Sequence, residues 1–352
     1  MSHKQLLEVE ASRALEATRR FEDLAFYHVP FDELNGDQHT ESTLTRLVAN
    51  GDRVVVVGAS GSGKSSVISS VLGPLATELP NRIVPLRVPV AAESDETVTE
   101  PGALARHLVR YVTRWASRDR FSPEEQEEFE RGVADATRRA AGKKIREFHV
   151  GLPLWLAKAE FARQVQATGD EYETRGSPSD AVEYMKRLVA LFEAHGLSPV
   201  LVFDDSDTWL NIAGLDRSAV ANEFFMRSVR MLCKEVPTGL VIAVHEHYLE
   251  LAGYREASTW LSAEIWVPRL IGAREGIERI LRDRLAMADV EAQLEEVIGP
   301  DAIDRISKHY DEGMAIRDVL RVAQRALQHA LSDGTERISS QLIEQAITEL
   351  AP

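Results

Sequence analysis

The chain has 352 residues, 44% hydrophobic and 28% charged, which suits a globular protein larger than one average domain and excludes a disordered or collagen-like chain. A formal net charge of -15 argues against a protein that coats nucleic acid through bulk electrostatics. Cys233 is the sole cysteine, so an internal disulfide and a cysteine-built zinc cluster are excluded.

In chain order, Leu6, Leu7, Leu15, Phe21 and Leu24 recur at helical spacing, predicting an amphipathic helix or two over residues 5 to 27. The mixed charges of this segment fit no secretory signal, and a cytoplasmic location is the expectation. No run reaches the roughly 18 apolar residues of a membrane span. "STLTRLVAN" is a short helix that Gly51 ends, and "RVVVVG" is a run of β-branched residues predicting a fully buried strand. A helix over 64 to 79 and a strand over 82 to 90 complete a β-α-β unit. Helices follow near 102 to 117 and from "SPEE" onward, where Ser122 and Glu125 form a capping box. The stretch from about 91 to 177 is long for an inter-strand connection and is expected to be a helical insertion. "SPSDAVEYMKRLVALFEAHG" is a helix feeding the strand "PVLVFDD". A helix over 217 to 235, the strand "GLVIAVH", an irregular helical piece and the strand "AEIWVP" close the alternation. Strands alternating with helices predict a parallel sheet covered on both faces. After residue 270 the apolar spacing is helical throughout, predicting a separate all-helical unit.

"GASGSGKS", Gly58 to Ser65, matches G-x-x-x-x-G-K-[ST] and lies between a predicted buried strand and a helix start. Gly58, Ala59, Ser60, Gly61, Ser62, Gly63, Lys64, Ser65 and Ser66 are therefore the candidate nucleotide-binding residues. Glycines let the backbone amides curl around phosphate oxygens, and the helix N-terminus adds a favourable dipole. Lys64 is expected at the β- and γ-phosphates of ATP, and Ser65 on Mg2+. The strand "LVFDD" ends in two acids at the carboxyl edge of the sheet, where a triphosphate and its metal lie. Asp204 is the candidate Mg2+ residue and Asp205 the candidate for polarising the attacking water. Asp207 is expected to cap the next helix or face a neighbouring subunit.

On these motifs the chain resembles the AAA+ ATPases, especially their initiator-like, origin-recognition branch, and "DDSD" is similar to the Walker B acids of STAND signalling ATPases. The resemblance covers about residues 30 to 350 and implies an α/β P-loop fold with a parallel sheet, helices on both faces and a C-terminal helical lid. It divides the chain into an N-terminal helical segment (1–30), an ATPase domain (31–270) and a lid (271–352). It also implies His245 as the sensor 1 residue, with Glu246 beside it, and Arg317 in "EGMAIRDVLRVAQRAL" as the sensor 2 arginine that follows the γ-phosphate. Arg255 is the implied finger into a neighbouring subunit's site, with Arg227, Arg230 and Arg269 as competitors. An Asp-Asp Walker B, with a shorter second acid than the common Asp-Glu, implies slow hydrolysis.

The implied activity is an ATPase that switches or assembles a partner complex, oligomerising through shared sites, with a bacterial defence or mobile-element system as the setting. The alternative is an ATP-gated DNA-binding module. The net charge disfavours it, as does a sequence that stops after the lid helices without a winged helix. Arg131, Arg138, Arg139, Lys143, Lys144 and Arg146 form a basic island suited to nucleic acid or an acidic partner, though a solvated helix face is the preferred explanation. His245 and His247 are expected on one face of a strand, too few to hold a metal. Trp209, Trp260 and Trp266 are expected in a core or an interface.

Overall fold

The computed structural model describes residues 14–17, 21–36, 39–77, 82–89, 95–118, 154–206, 210, 216–288, 290, 292–335 and 337–350. The basic island at 131–146, the "SPEE" helix start, Asp207, Trp209 and most of the helix expected before residue 20 lie outside them.

Short helices α1 (Phe21–Leu24) and α2 (Phe31–Leu34) precede α3 (Thr40–Ala49), strand β1 (Arg53–Val57) and α4 (Lys64–Thr77). Then come β2 (Arg82–Arg87), α5 (Asp95–Thr99), α6 (Pro101–Arg118), α7 (Leu154–Arg175), α8 (Ala181–Ala194) and β3 (Leu197–Phe203). Next, α9 (Arg217–Glu223) runs through a π-helical turn, Phe224–Val229, into α10 (Arg230–Glu235). Strand β4 (Gly239–Val244), a 3-10 turn at Glu246–Glu250, α11 (Ala252–Ser258) and β5 (Ala263–Trp266) complete the sheet. The chain continues through α12 (Ala273–Met287), α13 (Leu294–Val297), α14 (Pro300–Asp311), α15 (Ile316–Asp333) and α16 (Ser340–Leu350).

The five strands lie in the order β2-β3-β4-β1-β5, and every pairing is parallel. The alternation of a strand explains why "VVVV" is apolar throughout: Val54 and Val56 face one core, Val55 and Val57 the other. The first core also takes in α3, α4 and the C-terminal helices, so those helices share one continuous apolar interior with that face of the sheet. The second is closed by α6, α8, the π-turn and α11. This is the expected fold class, α/β with a parallel sheet covered on both faces and a helical C-terminal region.

One local expectation is corrected and one is narrowed. His245 and His247 do not lie on a strand: β4 ends at Val244, His245 caps the 3-10 turn, and the two rings meet each other with centroids 4.4 Å apart. Of the two alternatives for the tryptophans, the exposure of Trp260 and Trp266, 41% and 50%, excludes the core and leaves the interface. The Lys234 ammonium lies 4.1 Å over the Trp260 ring, a cation–π contact at the surface.

Candidate nucleotide site

The P-loop leaves β1 at its carboxyl end and feeds α4. The Gly58 N–H donates to the Val244 carbonyl of β4 at 3.2 Å, which pins the start of the loop to the neighbouring strand. Gly61 and Gly63 have φ of 76° and 107°, a backbone region that L side chains rarely adopt, so the motif's glycines are needed there. The Lys64 ammonium curls back on the loop, donating to the carbonyls of Gly58 and Ala59 at 2.8 and 2.9 Å.

The Ser65 hydroxyl donates to Asp204 Oδ1 at 2.8 Å. Asp204 is 6% exposed; burial pushes its carboxyl above its ordinary value of 3.8, against the Ser65 hydrogen bond and the nearby Arg87 guanidinium, which favour the carboxylate. Arg87, the last residue of β2, reaches Asp204 Oδ2 at 3.3 Å. Asp205 has φ of 54°, the left-handed region that a non-glycine residue enters at a cost, and its side chain is exposed at the cavity. The Ser206 hydroxyl is buried, lines the same cavity and has no hydrogen-bond partner among the described residues.

The C-terminal helices close the other side. The Arg317 guanidinium donates to the Ser60 hydroxyl at 2.8 Å, and the Arg317 N–H to the Gly61 carbonyl at 3.1 Å. A Cβ on Gly61 would come within 3.1 Å of the Cβ atoms of both Ala315 and Arg317. The loop and α15 are therefore in direct contact.

Between them lies a cavity of about 280 Å³. Its polar lining includes the P-loop with Arg87, Asp204 and Asp205, and its apolar lining includes Tyr27, Val29, Phe31 and Leu34 from the N-terminal segment, with Ile280, Ile316 and Leu320 from α12 and α15. A lining that mixes apolar side chains with a few convergent polar groups is that of a small-molecule site. Among the described residues no cluster of three or more His, Cys, Asp or Glu could hold a metal by itself. Ser65 and Asp204 fit Mg2+ all the same, since this ion usually takes one or two protein oxygens and completes its shell with phosphate and water.

Of the sequence-predicted site residues, the structure brings together Ser60 to Ser66, Asp204, Asp205 and Arg317 around the cavity. Gly58 and Ala59 meet the Lys64 ammonium just behind it. His245 follows the residue that anchors Gly58, but its Nδ1 is turned onto His247 at 2.7 Å, and it does not line the cavity. Arg255 lies on α11 with an exposed side chain, also off the cavity. Among its competitors, Arg227 pairs with Glu100, Arg230 with Glu256, and Arg269 with the Tyr310 carbonyl and ring.

Sequence reasoning missed Arg87, Ser206, and the whole N-terminal wall with the residues that hold it. Arg284 of α12 is buried and donates to the carbonyls of Ala14, Glu16 and Tyr27 at 2.9, 2.8 and 3.3 Å. His28 bonds the Ser66 hydroxyl. An arginine ending a buried strand was the one legible signal among them.

No family model and no curated protein matches this chain. Among solved structures it is similar to the Aeropyrum pernix ORC2 protein in ADPNP-ADP complexes, with 14% identity over 91% of this chain and 71% of that one, at a TM-score of 0.49. The ADP form of the same protein gives 14% identity, 93% and 72% coverage and a TM-score of 0.49. Drosophila ORC bound to DNA gives 14% identity, 96% and 67% coverage and a TM-score of 0.45. Likeness at this level says nothing of activity, which has to come from the residues of the site.

Proposed function

We propose that this protein binds Mg2+ and ATP between the P-loop and the C-terminal helices, hydrolyses the nucleotide slowly, and uses the difference between ATP and ADP to switch or assemble a partner complex. The observation that carries the reading is the joint contact of the P-loop with Asp204 through Ser65 and with α15 through Arg317.

The P-loop amides and Lys64 hold the phosphates, with Lys64 exchanging its two carbonyl acceptors for phosphate oxygens. Ser65 and Asp204 hold the metal, which would neutralise developing charge on the β- and γ-phosphates. Asp205, at the cavity in a strained backbone conformation, orients the attacking water; the Ser206 hydroxyl, buried and without a partner among the described residues, supplies a further polar contact for water or phosphate. The aspartate carboxylate stops one methylene short of a glutamate, which fits slow turnover. Arg317 already spans from α15 to the loop, so a γ-phosphate beside Ser60 would give its charge a new partner and hydrolysis would remove it.

The residues of the 271–352 unit thus act as a lid to the 31–270 domain, and Arg255, exposed on α11, is the candidate finger for a second copy's site. His245 adjoins the loop's anchor but would have to leave His247 to sense a phosphate. The competing ATP-gated DNA-binding reading would draw on the basic island at 131–146, outside the described residues. Among the described residues no helix is long and apolar enough to cross a membrane.

The test is phosphate release from ATP with Mg2+ by the full chain, beside Lys64→Ala and Asp205→Asn. Slow release that both substitutions abolish supports the reading. Fast release by the wild type rejects the slow switch, and release that survives Lys64→Ala rejects the site.

A further inference from the structure

Both oxygens of Asp204 are engaged by side chains of the cavity. Oδ1 accepts the Ser65 hydroxyl at 2.8 Å, and Oδ2 meets Nη2 of Arg87 at 3.3 Å. The sheet register puts the arginine there. β2 and β3 pair with Arg87 opposite Val202, and the Val88 N–H donates to the Val202 carbonyl at 2.9 Å, so Arg87 ends its strand level with a residue two short of the acid. The two side chains differ in exposure, 43% for Arg87 against 2% for Asp204.

Resting on the nucleotide reading above, we propose that Arg87 is an exchangeable counter-ion for Asp204: its guanidinium compensates the acid when a nucleotide binds without metal, and Mg2+ takes that role over when it binds.

A buried carboxylate needs a positive partner, because leaving water costs an ion far more than it costs a neutral group. A phosphate chain sharpens the need, since it would share the cavity with Asp204 and the two anions repel each other. Arg87 lines the same cavity, and its forked donors suit phosphate as well as carboxylate.

Mg2+ held by Ser65 and Asp204 would compensate the acid with two charges. Ser65 can keep its hydrogen bond, because a hydroxyl has oxygen lone pairs for a metal while its hydrogen stays on the carboxylate. The guanidinium is in a different position: two cations on one carboxylate repel each other. Arg87 is able to leave. Its head reaches water at the end of a long flexible stem, and an ion pair with one partner so exposed is weakly held.

Arg87 and Mg2+ are therefore partly redundant, and each reduces what the other adds to nucleotide affinity. A strand-end ion pair with a purely structural role would behave differently, because its loss would weaken nucleotide binding to the same degree with and without metal.

The experiment measures the ADP affinity of the full chain by calorimetric titration in excess Mg2+ and in EDTA, for wild type, Arg87→Gln and Arg87→Lys. Binding of Mg2+ to free ADP is common to all three and cancels in the comparison. Wild type is expected to bind ADP in EDTA. Arg87→Gln is expected to lose about tenfold more affinity in EDTA than in Mg2+, within the usual range for coupled sites, so that metal restores most of what the substitution removes. Arg87→Lys, which keeps the charge, should recover most of the EDTA affinity that Gln loses. Mn2+ titration of the ADP complex, read by electron paramagnetic resonance, reports the same coupling from the metal's side, and Arg87→Gln should half-saturate at about tenfold less Mn2+. If Arg87→Gln fails to fold, Arg87→Met, which keeps the apolar stem, takes its place.

Equal losses in the two buffers, or a larger loss with Mg2+, overturn the proposal while leaving nucleotide binding intact. Wild type that binds ADP in Mg2+ but not in EDTA overturns it as well. If wild type binds ADP in neither, the nucleotide reading fails and takes this inference with it.

Discussion

Arg317 of α15 donates to the Ser60 hydroxyl of the P-loop at 2.8 Å although 257 residues separate them, and its backbone N–H holds the next residue's carbonyl. The helical region thus touches the loop that would carry the phosphates. A charge-assisted hydrogen bond is worth about 1.5–3 kcal/mol. Arg317→Ala is expected to weaken ATP binding by about tenfold or more while ADP binding changes less. Equilibrium titration with both nucleotides checks this, and equal losses for the two would remove the sensing role.

The same contact can be pushed apart from the loop side. Gly61→Ala places a Cβ within 3.1 Å of Ala315 and Arg317 at a φ of 76°. Either the loop or α15 must move. Faster proteolysis after residue 270, with nucleotide affinity reduced, is the expected outcome; wild-type behaviour in both would mean the contact is not maintained in solution.

Asp204 carries a stability cost at neutral pH. Burial raises its folded-state pKa above 3.8, so the folded protein holds this proton more tightly than the unfolded chain. Its contribution is fully present below about pH 3.8 and is lost as pH rises through the raised folded value. Asp204→Asn keeps the shape and removes the charge. Without nucleotide it is expected to unfold at a higher temperature than wild type near neutral pH, and to lose Mg2+-dependent hydrolysis. A lower melting temperature would show that Ser65 and Arg87 more than offset burial.

Ser206 offers a similar contrast. A buried hydroxyl without a partner costs about 1–3 kcal/mol; Ser206 has none among the described residues, so Ser206→Ala should leave the nucleotide-free protein as stable or more so. If its hydroxyl serves water or phosphate, hydrolysis should slow nonetheless. Unchanged turnover in thermal and kinetic assays run side by side would assign Ser206 no part in the reaction.

Local motifs made the polar half of this site legible. "GASGSGKS" encodes its own backbone path through Gly61 and Gly63, and "VFDD" marks a buried strand reaching the sheet's carboxyl edge, so strand, loop and acids could be placed before any packing was known. The apolar half was hidden because it is tertiary. Tyr27, Val29 and Phe31 form a wall only because Arg284, more than 250 residues further on, holds the carbonyls behind them, and because Asn35 exchanges hydrogen bonds with the backbone of Arg269 and Ile271. His28 carries no signal in "FYHVPF"; its hydrogen bonds to Ser66 and Glu41 are tertiary. His245 shows the opposite failure, since a strand-like run could not reveal that β4 stops one residue earlier and that the ring turns onto His247.

Cys233 provides an internal check on the fold. Burial pushes its thiol up to about 11, so it should resist thiol reagents at neutral pH in the native state and react on unfolding. Rapid labelling of the native protein would contradict the packing of α10 against the sheet.

On the proposed reading, ATP held between the P-loop and the C-terminal helices is an assembly signal. Light scattering tests it most directly, measuring the mass of the full chain without nucleotide, with ADP and with a non-hydrolysable ATP analogue, and repeating each with Lys64→Ala. A discrete larger species with the ATP analogue alone, absent in Lys64→Ala, is the expected result. A mass that never changes while nucleotide demonstrably binds would contradict it.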